Sequence, residues 1–286
     1  MSTSGNSRRD RAAAANAAAM SSERRREQLV RIIGAVVVVL VVVAIIVVAV
    51  VVKKGNASSD TAGGSASASA NPSAPLPTGV LPAGDAYAFG VPYGTGTSSV
   101  PTLEIWEDFQ CPSCDAVEKA NGTGITSLAE SGKVRLIWRP TTFLDTNLKN
   151  DSSERATAAW GCAIDAGKAK EFHSTVFANQ PKEGVGYSDA NLIQFAQDSG
   201  ITGASLDTFK KCYADRTYLS WAANSAQVFY DANIPGTPLA KLNGTEVAAK
   251  DLVDQATLTK LVADATAAMA GGSASPAATS ASPSAS

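Results

Sequence analysis

Twenty-one consecutive residues, Ile32 to Val52, carry no charge and are mostly Val and Ile. As one helix they would span about 31 Å at about 1.5 Å per residue, the depth of a bilayer core, so the run predicts a transmembrane helix over 32–52. Arg8, Arg9, Arg11, Arg24, Arg25, Arg26 and Arg31 precede it against Asp10, Glu23 and Glu27, and only Lys53 and Lys54 follow. That imbalance predicts a basic cytoplasmic arm over 1–31 and places the rest of the chain outside the cytoplasm. A cleaved signal peptide would have an apolar region of about 7–15 residues and a small-residue cleavage site. Here the run is longer, and Lys53-Lys54 occupy the place of that site. Beside a membrane, an arginine-rich arm reads as a topology signal that touches anionic lipid rather than as a nucleic-acid site.

Nine of the 24 basic and three of the 26 acidic residues lie before Gly55, so the exported part holds 15 against 23, a formal charge of −8. Such an acidic domain argues against a nucleic-acid partner. Ser, Ala, Gly and Pro dominate 53–84, a predicted flexible extracytoplasmic linker, and 271–286, a predicted disordered tail. Between them, 85–270 is one domain's worth of chain. All four cysteines, Cys111, Cys114, Cys162 and Cys212, fall on the exported side, where disulfides persist.

Within the domain the apolar period changes repeatedly. Val100 to Phe109 is strand-like and ends directly at Cys111-Pro112-Ser113-Cys114. A helix is expected from Pro112 to about Glu130, interrupted near Asn121-Gly122, then a short strand Val134 to Trp138 stopped by Pro140. Strand, helix, strand is a right-handed βαβ unit, which sets the cysteine pair at the carboxyl end of the first strand. From about 150 to 232 the pattern is helical. Asp151-Ser152-Ser153-Glu154 reads as a capping box, Ser188 and Ser205 open further helices, and another covers Tyr218 to Ala232. A strand Leu239 to Leu242, the turn pair Asn243-Gly244, a returning strand Glu246 to Ala248 and a final helix complete the domain. The expected architecture is α/β, a thioredoxin-like fold with an inserted α-helical block, preceded by one N-terminal transmembrane helix.

A C-x-x-C pair alone is compatible with zinc, with a small structural disulfide or with redox chemistry. Zinc needs two more ligands, and His173, Cys162 and Cys212 show no ligand-like spacing. A disulfide between residues three apart constrains the unfolded chain little. Redox chemistry suits the setting best, because a helix N-terminus supplies positive potential to a thiolate and a proline is tolerated in the first turn. Ile234-Pro235-Gly236-Thr237-Pro238, just before a short strand, is by itself a turn. His173 reads as a packed or surface helix residue rather than a catalyst, and Trp138, Trp160 and Trp221 read as core.

The stretch Trp106-Glu107-Asp108-Phe109-Gln110-Cys111-Pro112-Ser113-Cys114, the run Cys162 to Phe177 with Glu171-Phe172-His173, Phe209-Lys210-Lys211-Cys212 and Gly236-Thr237-Pro238 follow one another in an order that resembles the DsbA-like thiol-disulfide oxidoreductases. The resemblance covers roughly 86–268. It implies that Cys111 is the exposed attacking cysteine, Cys114 its buried resolving partner, Pro112 and Ser113 the tuning residues, and Thr237-Pro238 a cis-proline loop that binds substrate. It implies a structural bridge between Cys162 and Cys212, which the chain-entropy estimate values at about 4 kcal/mol.

Many relatives carry a buried acid six residues before the first cysteine, where this chain has Ile105, which leaves Glu107 or Asp108 for proton transfer. The expected activity is a membrane-anchored, extracytoplasmic thiol-disulfide oxidoreductase that oxidises cysteines of exported proteins. It would need no metal or organic cofactor and would be reoxidised by a quinone-linked membrane partner. Ser113 in place of His, and Thr237 before the proline, leave an isomerase or reductase of the same fold open, and a tethered peptide-binding or chaperone module is the reading without catalysis.

Overall fold

The computed structural model describes residues 69–272. The expected arm 1–31, the membrane span 32–52, the start of the linker and the tail beyond Gly272 lie outside the described residues, among which no helix is long and apolar enough to cross a membrane.

Five strands form one sheet: β1 (Val91–Tyr93), β2 (Thr102–Glu107), β3 (Arg135–Pro140), β4 (Leu239–Leu242) and β5 (Thr245–Val247), in the order β1-β3-β2-β4-β5. β2 is central, parallel to β3 from Thr102↔Arg135 to Glu107↔Pro140 and antiparallel to β4. The crossover between β2 and β3 is α1 (Pro112–Glu130), which completes the expected βαβ unit. Covered on both faces, β2 is buried at every position except the half-buried Glu104, although only Leu103, Ile105 and Trp106 of its residues are apolar. Leu103, Ile105 and Glu107 share one face by the two-residue period, while Trp106 on the other lies 4.2 Å from the Arg139 guanidinium and 5.8 Å from Phe229. β2 stops at Glu107 rather than Phe109 because Asp108 begins a turn: its carbonyl accepts from Cys111 N at 2.9 Å and its carboxylate from Gln110 N at 2.9 Å.

Between β3 and β4 stands the helical block: α2 (Phe143–Leu148), α3 (Ser152–Asp165), α4 (Ala169–Ala178), α5 (Asp189–Asp198), α6 (Gly203–Ala214) and α7 (Leu219–Asp231). The hairpin turn has Asn243 and Gly244 both at positive φ, 48° and 81°, the backbone that a tight two-residue connection requires. α8 (Ala249–Leu252) and α9 (Gln255–Gly272) follow. Trp138, Trp160 and Trp221 are buried as expected, in an aromatic cluster that also takes in Phe109, Phe177 and His173.

Several expectations are corrected. α1 runs unbroken through Asn121-Gly122, because the buried Asn121 amide leaves the helix to donate 2.8 Å to Leu252 O. The side chain of Asp151 does not cap α3. Its free N–H groups are taken instead by Asp145 of α2, whose two carboxylate oxygens accept from Ser153 N and Glu154 N at 2.8 Å each. The reciprocal capping box occurs at α5, between Ser188 and Asn191. Residues 71–84, assigned to the flexible linker, are fastened to the domain. Asn224 pairs with both main-chain groups of Asn71, Asp165 accepts from Thr78 N and Oγ1, and Pro77 and Val80 are buried.

Cys162 and Cys212 are bonded, joining α3 to α6 across a sequence separation of 50. Replacing both with Ala should lower the unfolding free energy by about 2–5 kcal/mol, read as a shift in urea midpoint against the oxidised wild type.

Candidate active site

Cys111 is the N-cap of α1, with extended backbone (φ −78°, ψ 116°), and Pro112 occupies the first turn, where its missing N–H costs nothing. No side chain caps the helix in the conventional way. The Cys111 sulfur therefore sits over the main-chain N–H groups of Ser113 and Cys114, at the positive end of the helix dipole. Across from it the Thr237–Pro238 peptide is cis, and the Cys111 thiol donates to Thr237 O at 3.3 Å. The sequence-predicted pair and loop thus meet although 126 residues apart.

Both cysteines are free thiols with unequal surroundings. Hydrogen bonding with Cys114 lowers the Cys111 pKa to about 6; burial opposes this, and Thr237 and the main-chain N–H groups of Cys114 and Ser113 add to it. Cys114, with none of its surface exposed, is pushed well above the ordinary thiol range, first by burial and then by its neighbour Cys111. Cys111, expected to be exposed, keeps 6 % of its surface, since the proline loop covers it. Pro112 and Ser113 are on the exposed rim, and Ser113 reaches the sulfur through its main-chain N–H.

The two carboxyl groups offered for proton transfer diverge, because Glu107 ends β2 and Asp108 begins the turn after it. Asp108 is fully buried and held structurally: it accepts from Ser153 Oγ (2.5 Å), Gln110 N (2.9 Å) and Leu144 N (3.1 Å), and burial raises its pKa to about 7. Glu107 projects from the same strand face as Ile105, two residues further on, so the acid absent at Ile105 returns one pleat nearer the cysteines. Burial, then the charge of Cys111, push it up to about 8, and it in turn raises Cys114.

Two residues not singled out in the sequence hold the approach to Cys111. Gln180 donates its side-chain amide to Phe109 O (2.9 Å) and Cys111 O (3.0 Å), and Tyr187 donates to Phe109 O (2.6 Å). Gln110, buried, donates to Asp145 (2.7 Å), Asn150 (3.0 Å) and Ser153 (2.8 Å). The cysteine turn is therefore clamped by the helical block. No sequence period marks these contacts, which join loop residues far apart in the chain.

His173 Nε2 lies 2.8 Å from Glu107 Oε2, and its Nδ1 lies 3.8 Å from Glu118 Oε2. The two carboxylates thus address opposite nitrogens of one buried ring.

A family model described as thioredoxin matches residues 92–264. Among solved structures, MdbA from Actinomyces oris, a thiol-disulfide oxidoreductase, is similar at 24% identity and TM-score 0.56, covering 70% of this chain and 97% of its own. Oxidised BdbD from Bacillus subtilis gives 18% and 0.53 over 63% and 94%, and oxidised DsbA from Mycobacterium tuberculosis 22% and 0.51 over 64% and 98%. At these identities the likeness is one of fold. No curated protein matches.

Alkylation of Cys111 by iodoacetamide should be half-maximal near pH 6, with Cys114 unreactive until the chain unfolds. Glu107 is more protonated folded than unfolded, so its contribution to stability is complete below its ordinary pKa of 4.5 and is lost as pH rises to about 8. Glu107→Gln should then stabilise the reduced protein by roughly a few kcal/mol at pH 9 relative to pH 4, seen as a flatter profile of Tm against pH.

Proposed function

The chain belongs to the thioredoxin family and has the fold of DsbA-type thiol-disulfide oxidoreductases, and we propose that it exchanges disulfides with exported proteins outside the cytoplasmic membrane, tethered by residues 32–52. One observation carries this reading: a polarised cysteine pair, with Cys111 depressed to about 6 over a helix N-terminus and Cys114 raised by burial beneath it. A low-pKa cysteine is a good leaving group, and stabilising its thiolate favours the reduced enzyme, which makes the disulfide form an oxidant.

In the oxidised enzyme a substrate thiolate attacks Cys111 Sγ, the Cys111–Cys114 bond breaks, and Cys114 departs with the electron pair. A second substrate thiolate then attacks the substrate sulfur of the mixed disulfide. The substrate leaves oxidised, Cys111 is released as thiolate, and two electrons remain on the protein. The Thr237 main chain lies where an extended substrate segment could pair beside Cys111. Turnover requires an electron acceptor, which the family resemblance supplies as a quinone-linked membrane protein. Glu107, in electrostatic reach of Cys114, is the group placed to exchange a proton with it.

Cys114→Ala in the full-length protein should accumulate mixed disulfides with exported proteins through Cys111, resolved by diagonal non-reducing electrophoresis. A variant that binds such proteins yet traps none would leave the tethered binding module as the function. A reduction potential near about −120 mV supports the oxidising direction, and one near about −270 mV assigns a reductase.

A further inference from the structure

His173 is the chain's single histidine, it comes from the helical block rather than the thioredoxin core, and 1 % of its surface is exposed. α4 holds it among Trp138 (ring centroids 4.6 Å apart), Trp160 (5.2 Å), Phe109 (5.6 Å) and Phe177 (5.0 Å). A histidine needed only for volume could be a leucine. Here Nε2 meets Glu107 Oε2 at 2.8 Å, while Nδ1 and Glu107 Oε1 are buried with no hydrogen-bond partner. The unpartnered Nδ1 faces Glu118 Oε2 at 3.8 Å. Glu118 lies on α1 one turn beyond Cys114, with its side chain 8 % exposed, so the line of groups runs from beneath the cysteines to the edge of solvent.

Gly122 adds an independent sign. Glycine inside a helix weakens it relative to alanine, and here a methyl group at that position would overlap Glu118 Oε2, the same oxygen that faces His173. The glycine leaves the Glu118 carboxyl room to turn inward.

We infer that Glu118, His173 and Glu107 form a proton path between solvent and Cys114, with His173 and Glu118 as positioning residues that act through Glu107. The path rests on the disulfide-exchange reading above. When Cys114 leaves as thiolate, Glu107 gives it a proton. His173 passes its Nε2 proton to the Glu107 carboxylate as its Nδ1 takes one from the Glu118 carboxyl, and Glu118 recovers one from water. One proton moves inward, the imidazole stays neutral throughout, and it ends as the other tautomer; the reverse sequence serves reoxidation. A neutral ring suits its burial, which lowers the His173 pKa, and burial raises Glu118 to about 7, so its acid form is populated near neutral pH. The titratable groups facing this line are Cys111, Cys114 and Asp115 of α1, the last paired with Lys119. The 3.8 Å step closes by rotation of the Glu118 side chain, and hydrogen bonds of this kind often tighten only in the reacting complex.

The test is the single-turnover rate at which oxidised full-length protein oxidises a reduced two-cysteine peptide, from pH 5 to 9. Glu118→Gln and Gly122→Ala should each slow it about tenfold or more near pH 7 and change the shape of its pH profile. Both should leave the Cys111 alkylation profile in place, and Gly122→Ala should show an unchanged or raised Tm. His173→Gln, which can hold Glu107 but cannot exchange tautomers, should match them. Rates within about twofold of wild type in Glu118→Gln and Gly122→Ala, or losses only in variants with lowered Tm and an unaltered pH profile, overturn the path. If His173→Gln does not fold, the other two variants decide. A wild-type rate no faster than that of Cys111→Ser would sink the disulfide-exchange reading instead.

Discussion

The site depends on the electrostatic difference between the two ends of one helical turn. At its open end, the first-turn N–H groups of α1 and the Thr237 loop surround the Cys111 sulfur; one turn inward, Cys114 is enclosed by the core with no exposed surface. The first environment favours a sulfur anion and the second penalises it. The rest of the fold maintains that difference. β2 delivers the turn, α1 starts at Pro112 with Cys111 as its cap because a proline fits the first turn of a helix and no deeper position, and the Gln180 and Tyr187 side chains hold the Phe109 carbonyl before it.

Much of the architecture was legible in the sequence because it is written in periods and turn chemistry. The alternation up to Phe109, the helical spacing after Cys114, and Asn243-Gly244 each determine local backbone, and together they imply the βαβ start and the ββα end. Contacts across sequence distance were less legible. Asp145 caps α3 in place of Asp151 through a fold of the chain at 149–151, and nothing in the residue types distinguishes the two aspartates. Residues 71–84 look like linker because Ser, Ala, Gly and Pro bury little surface, yet main-chain groups held by Asn224 and Asp165 fix them.

At the site, the cysteine pair and the proline loop were visible as motifs, whereas the acid beneath them was visible only as an ambiguity. Glu107 and Asp108 are neighbours in sequence, but the first ends the strand on the face of Ile105 and the second begins the turn, where Gln110 N and Leu144 N hold its carboxylate. The two-residue period from Ile105 already pointed to Glu107 once the strand was granted. His173 had no such clue: its partner in the chain is 66 residues away, and a lone histidine among aromatics reads as packing.

The bridge between Cys162 and Cys212 gives the molecule a stake in its own chemistry. On the proposed function, a newly made copy starts with these two thiols reduced and is, until they join, a client of the same kind it would later serve. Copies already matured could therefore finish the younger ones, so that the population inherits its oxidised state from its predecessors. A cell stripped of every active copy would then recover with a lag, set by how slowly the first few bridges form unaided.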